Sequence, residues 1–185
     1  MELMETKYKQ TEVGLIPEDW KLGELNQVCS FENGDRGINY PSKSDFKSWG
    51  KLFVNAGHLK NKSISLKNMD YISDEKFNQL NGGKFKKDDI LFCLRGSLGK
   101  FAIVSNEEQG AIASSLIIIR PILKELFVNY LKFYLESRVC ENMIEVSAGG
   151  AAQPNLGGSE LGLFKIPLPP TLTEQKAIAT ALSDV

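Results

Sequence analysis

The sequence predicts an α+β domain: a mixed, largely antiparallel sheet with short helices. Three observations carry this. Apolar runs of strand length recur between Gly, Asn and Pro punctuation, and strand and long helix patterns do not alternate as a doubly wound sheet requires. Apolar residues at helical spacing are concentrated in one stretch, 125–146. The length of 185 residues, with 42% hydrophobic and 24% charged, suits one domain with its own core.

The elements follow in order. In "GLIPEDWKLGEL" (14–25), where the ordered part is expected to begin, Pro17 bars a helix and Trp20, Leu22 and Leu25 supply anchors. Val28 to Phe31 reads as a short apolar run entering an Asn33-Gly34 turn, and Gly37 and Pro41 keep the next stretch irregular. Lys51 to Leu59 predicts a buried strand ended by Gly57, and "SISLKNMDYIS" (63–73) alternates as an edge strand. Ser73 caps a short helix that Asn81-Gly82-Gly83 stops. Ile90–Arg95 and Lys100–Ser105 form a hairpin around Gly96, Ser97 and Gly99. "GAIASSLIIIRP" reads as one buried strand stopped by Pro121. Leu126, Tyr130, Leu131, Tyr134 and Leu135 share a face of one or two helices. A loop then leads to strand-like "LFKIPLP".

The last stretch is a helix start. Pro169 and Pro170 fix an extended entry, Thr171 to Glu174 has the form of a capping box, and Ile178, Leu182 and Val185 share one face. So short a helix needs a surface to lie on. The expected organisation is a domain over 1–170 followed by the start of a helix over 171–185.

Composition excludes several classes. The three cysteines (Cys29, Cys93, Cys140) are far apart, with no CxxC or His/Cys cluster, so neither a disulfide framework nor a zinc site is expected and a reducing cytoplasm fits. The longest apolar run, Leu116 to Ile119, is too short to span a membrane, and "MELMETKYKQ" lacks the apolar core of a signal peptide. A net charge of −1 gives no overall attraction to nucleic acid; only local clusters do, at Lys60/Lys62, Lys84/Lys86/Lys87 and Arg95/Lys100.

Three blocks, "GLIPEDWKLGEL", "KKDDILFCLRGSLGKFAIV" and "IPLPPTLTEQKAIATALSDV", in this order and spacing, resemble the DNA-specificity subunit of type I restriction–modification systems. The match covers one target recognition domain from about Gly14 and the first turns of the family's spacer helix. The resemblance implies a non-catalytic module that reads one half of a split double-stranded DNA site. It also implies methyltransferase partner subunits that use S-adenosylmethionine on adenine, and a translocating restriction subunit that joins them. No cofactor or metal is expected in this chain. Family members carry two recognition domains joined by long helices; this sequence stops inside the first spacer helix, as an excised domain, a fragment or a half-subunit would. Thr171, Glu174, Gln175, Ile178 and Leu182 are its expected spacer-helix residues, available for partner contact or dimerisation.

Phosphates are held by Lys, Arg, hydroxyls and backbone N–H groups, and bases are read by Arg, Asn and Gln. Three loops offer these groups. In "NGDRGINYPSK", Arg36 suits guanine and Asn39 adenine, Tyr40 can stack, Lys43 can meet a phosphate, and Gly34 and Gly37 allow close backbone approach; the alternative pairs Arg36 with Asp35 or Glu32. In "LRGSLGK", Arg95, Ser97 and Lys100 surround two glycines, as in a phosphate cradle or a plain tight turn; the spacing is not that of a nucleotide P-loop. In "SAGGAAQPNL", Gln153 and Asn155 offer base-reading amides. Asn55, His58 and Lys60 stand near a strand end that can face DNA, whereas Ser114 and Ser115 read as turn residues and Cys93 as core. Two other classes stay open: an enzyme fragment (a stand-alone methyltransferase part or a small hydrolase), and a protein-interaction scaffold using the terminal helix. No NPPY-like motif supports the former.

Overall fold

The structure, a computed structural model, describes residues 7–149 and 155–184. The chain opens with a hairpin, β1 (Tyr8–Thr11) and β2 (Gly14–Pro17), then β3 (Lys21–Glu24), a one-turn helix α1 (Leu25–Val28) and β4 (Cys29–Asn33). Short strands follow: β5 (Phe46–Lys47), β6 (Lys51–Val54), β7 (Leu59–Lys60), β8 (Ser63–Ile64) and β9 (Asp70–Ile72). Next come α2 (Asp74–Gln79), β10 (Lys84–Phe85), β11 (Ile90–Cys93), β12 (Phe101–Ile103), β13 (Gly110–Ile112) and β14 (Leu116–Pro121). The C-terminal third holds α3 (Val128–Leu135), α4 (Arg138–Ala148), α5 (Gly158–Gly162), β15 (Lys165–Leu168) and α6 (Leu172–Ser183).

The central layer is a four-stranded antiparallel sheet in the order β12-β11-β14-β4. Its two middle strands explain the uninterrupted apolar runs: alternate side chains enter different cores. Ile90, Phe92, Ile117 and Ile119 pack with Leu25, Leu126, Tyr130 and Leu131 on the helical side. Leu91, Cys93, Leu116 and Ile118 pack with Leu52, Val54, Leu59 and Ile112 on the other. That second core is closed by a five-stranded sheet, β10-β13-β6-β9-β5, antiparallel except for the β13–β6 pair. The predicted mixed, largely antiparallel α+β architecture is therefore the one found.

Several local readings change. "SISLKNMDYIS" is not one edge strand: β8 pairs with β7, and β9 lies inside the five-stranded sheet between β6 and β5. "GAIASSLIIIRP" is two strands in two sheets, joined at a turn closed by Leu116 N–H to the Ala113 carbonyl (3.0 Å). The strand from Lys51 ends at Val54 and gives way to a 3-10 turn over Ala56–His58. Asn33-Gly34 makes no hairpin, since β4 pairs with the distant β14. A Cβ on Gly34 would lie 2.8 Å from the carbonyl oxygens of Ile112 and Ala113, so this glycine serves packing against the protein's own backbone rather than approach by a ligand. The helical stretch is two helices, the second started by the Ser137 hydroxyl, which accepts from Cys140 N–H.

β3 and the residue before it meet the C-terminal elements β15 and α6. β15 pairs antiparallel with β3, setting Pro167 opposite Leu22, and Trp20 Nε1 donates to Glu174 Oε1 at 2.9 Å. Thr171 caps α6 as predicted, accepting from Glu174 N–H, but the Glu174 carboxylate goes to Trp20 instead of completing a capping box. The buried side of α6 is Gln175 and Ala179, packed against α3, with Ile178 half-buried and Leu182 exposed. Val185 lies outside the described residues.

Candidate nucleic-acid interface

Sheet register gathers the candidate loops at one end of the two sheets. Asn33 stands opposite Ile117, and Leu116 opposite Cys93, so the loop after β4, the turn before β14 and the loop after β11 share one rim. The end of β6 joins it, because Ala113 N–H donates to the Val54 carbonyl at 2.8 Å.

Hydrogen bonds knit this rim into a continuous strip. Arg36 Nη2 donates to the Ser114 carbonyl (3.2 Å), and Leu94 N–H to the Ser115 carbonyl (2.9 Å). The next residue, Arg95, forms an antiparallel bridge with Asn155 and donates from Nε to Asn155 Oδ1 at 2.9 Å. Lys100 accepts Cys93 N–H at its carbonyl and sends Nζ to the Ala56 carbonyl at 2.9 Å. Lys60 and Lys100 border one hollow with Lys62, which is paired to Glu136 at 3.4 Å. Ser97 is exposed between Gly96 (φ 79°) and Gly99 (φ 81°), conformations that favour glycine and turn the loop back sharply.

The cations of this strip are not neutralised by carboxylates. Among the described residues, none of Arg36, Lys60, Arg95 and Lys100 has a carboxylate within salt-bridge distance, a state they share with other surface lysines such as Lys43, Lys67, Lys86 and Lys132; what distinguishes the four is that they lie together on one rim. Arg36 pairs with neither suggested carboxylate. Asp35 accepts from Asn81 N–H (2.9 Å) and Gly37 N–H (2.7 Å), and these bonds, Asn81's foremost, hold its carboxyl below the usual range. Glu32 is taken by Arg120, which also grips the buried Asp89 with two 2.8 Å bonds. Bonds to a carbonyl or a neutral amide orient a cation without cancelling its charge, which suits a surface for phosphates and base acceptors.

Other expected site residues are placed differently. His58 is buried, its Nδ1 accepts from Asn55 N–H (3.1 Å) and its Nε2 lies 3.0 Å from the Asn68 carbonyl, so the ring holds a turn and presents no face to a ligand. Asn55 caps that turn through Gly57 N–H and reaches Asp70, again an internal role. Tyr40 is half-buried and packs edge-on against Phe53 at 5.7 Å, so part of its ring serves the protein's own core. Asn39 occupies the tight turn closed by Tyr40 N–H to the Gly37 carbonyl, with Ile38, 98% exposed, at its apex. Lys43 is exposed in a 3-10 turn (Lys43–Asp45) that no hydrogen bond ties to the strip. Gln153 lies outside the described residues. Sequence reasoning missed Ile38, the carbonyls of Ser114 and Ala56, and the Arg120–Asp89–Glu32 joint. All but Ile38 depend on contacts between distant residues that leave no local signal.

Comparison with known proteins comes to the same region of protein space. A family model described as type I restriction modification DNA specificity domain matches residues 17–185. A putative type I restriction enzyme MjaX specificity subunit from Methanocaldococcus jannaschii is 30% identical over 186 residues, covering 97% of this chain and 42% of that protein. The type I restriction enzyme EcoBI specificity subunit of Escherichia coli is 28% identical over 165 residues, covering 89% and 34%. The chain thus spans about a third to two fifths of the length of these relatives. The HsdS subunit from Thermoanaerobacter tengcongensis shares the fold, with a TM-score of 0.70 at 19% identity over 96% of this chain and 39% of the other. So does a chain of a type I R-M system solved for its complex assembly and conformational transition, with a TM-score of 0.72 at 21% identity over 91% and 38%.

Proposed function

The chain belongs to the type I restriction modification DNA specificity domain family, and from that premise we propose that it reads one half of a bipartite duplex site for partner subunits that carry out the chemistry. The observation that carries this reading is the convergence of three cations, Arg36, Arg95 and Lys100, each hydrogen-bonded to a neutral acceptor, on one rim of the sheets. Phosphate contacts there would position the duplex, and the two guanidinium groups would face base edges.

The family also frames the partners. Methyltransferase subunits carrying S-adenosylmethionine, and a restriction subunit that translocates DNA, would act at the site this domain selects, in the cytoplasm. Residues 1–170 form the recognition domain in this reading. From Thr171 the chain enters a spacer helix whose exposed side, including Leu182, is open to a partner helix or a second copy. An enzyme reading finds less support, because the one histidine is locked in a turn and all three cysteines are buried. A scaffold reading is favoured by one feature, an open groove of about 670 Å³ lined by Val13, Val139, Met143, Val146, Leu163 and Phe164.

The experiment is duplex binding by the full-length subunit assembled with its methyltransferase partner. Binding should be sequence-selective and fall steeply with salt. Arg36→Ala should relax discrimination at one base position by about 1–3 kcal/mol. Equal affinity for all duplexes would favour the scaffold.

A further inference from the structure

The Arg95–Asn155 pair says more about the site than that it is basic. Three contacts fix the backbone of Arg95: the antiparallel bridge to Asn155, the Leu156 N–H bond to the Leu94 carbonyl (3.1 Å), and the Cys93 thiol donating to the Arg95 carbonyl (3.0 Å). Leu156 and Cys93 are both buried, so the support is anchored in the core. The guanidinium is then oriented by one further bond, from Nε to Asn155 Oδ1. That bond uses the side edge of the group. The end-on fork, Nη1 and Nη2, makes no hydrogen bond among the described residues and belongs to an exposed side chain.

A fork of donors alone matches two adjacent acceptors. In the major groove, guanine offers that pair at O6 and N7, adenine sets a donor beside its acceptor, thymine has one acceptor beside a methyl, and cytosine has a donor. Asn155 Oδ1 spends one of its two lone pairs on Arg95, and that bond fixes the amide toward Arg95 rather than leaving it free to turn its acceptor and donor together onto an adenine. We propose that Arg95 reads a guanine in the half-site through its end-on fork, and that Asn155 is the positioning residue that holds the fork rather than a base reader. This rests on the DNA-reading function proposed above and deepens it. A phosphate is the competing partner for such a fork, since it too accepts two parallel N–H bonds.

The test selects bound sequences from a randomised duplex library, using the full-length subunit assembled with its methyltransferase partner as wild type, Arg95→Ala, Arg95→Lys and Asn155→Ala. Wild type should demand guanine at one half-site position. Both Arg95 variants should lose that preference by roughly 5- to 150-fold, with other positions and the salt slope unchanged. Asn155→Ala should weaken preference at the same guanine by a smaller factor and leave every other position intact. A uniform loss across sequences, with the salt slope reduced by about one, would assign Arg95 to a phosphate and overturn the proposal. Relaxation at a separate adenine in Asn155→Ala would make Asn155 a reader and overturn its positioning role. Failure of Arg95→Lys to fold would mean that the pair is structural and also count against it. If wild type selects no sequence through this domain, the DNA-reading function itself fails; if wild type selects and the Arg95 variants match it, only the guanine assignment fails.

Discussion

Gln175 is the residue whose replacement should most directly loosen the terminal helix from the domain. It is 2% exposed, accepts from Phe127 N–H at 2.8 Å and donates to the Glu125 carbonyl at 3.0 Å. Phe127 precedes α3, so Gln175 supplies an acceptor that the helix start lacks in its own sequence. Gln175→Leu keeps most of the volume and removes both bonds. Two net hydrogen bonds at about 0.5–1.5 kcal/mol each give about 1–3 kcal/mol, and a stranded N–H at the low end of its range adds about 1 more, for a loss of about 2–4 kcal/mol. Urea unfolding reads this as a midpoint lowered by about 1–2 M for a slope near 2 kcal/mol/M. A loss below about 0.5 kcal/mol would refute the reasoning, since that is the range of an ordinary surface change. Gln175→Glu sharpens the test. One carboxylate oxygen can accept from Phe127, but the other faces the Glu125 carbonyl, so the introduced carboxyl should titrate above its unfolded value of about 4.3. With a raised folded pKa, the folded state binds more protons. The variant should therefore approach wild type below about pH 4.3 and lose ground as pH rises through the raised value. A gap independent of pH would contradict this.

Arg120→Met should strand the Asp89 carboxylate, 1% exposed, and cost about 3–5 kcal/mol, seen as a melting temperature lower by roughly 6–20 °C. Burial pushes the Cys29 and Cys140 thiols up to about 12. Thiol titration at pH 8 should leave both unmodified in the folded protein, with all three cysteines reacting after denaturation. Because those pKa values are raised, the associated stability is intact below the ordinary thiol value of about 8.5 and declines as pH climbs toward 12. Ile38→Ser should change stability by less than about 0.5 kcal/mol, because its side chain touches almost nothing, and should weaken binding to cognate duplex if the loop apex enters a groove.

Much of the fold was legible because its signals are local. The Ile90–Ser105 hairpin, the Ser73 and Thr171 caps and the apolar face of α3 each sit within a few residues of sequence. What failed was non-local. β9 is interior because β5 covers it, and a two-residue strand carries too little pattern to announce itself. The 110–121 run reads as one strand because both halves are buried, yet they belong to different sheets. The candidate site divides along the same line. Arg36, Arg95 and Lys100 were legible from residue type and glycine context, whereas the roles of His58, Asn55 and Tyr40 were decided by partners that only the folded chain brings to them. Glu174 shows the same limit: its capping geometry is encoded locally, but Trp20, 154 residues away, takes the carboxylate.

The most direct measurement of the central claim exchanges residues 14–170 with the corresponding segment of a specificity subunit of different target. Methylated adenines are then mapped in cells carrying the complete system. One half of the methylated motif should follow the segment while the other half and the spacing stay fixed. A motif unchanged by the exchange would contradict the assignment of this domain as a reader of DNA sequence.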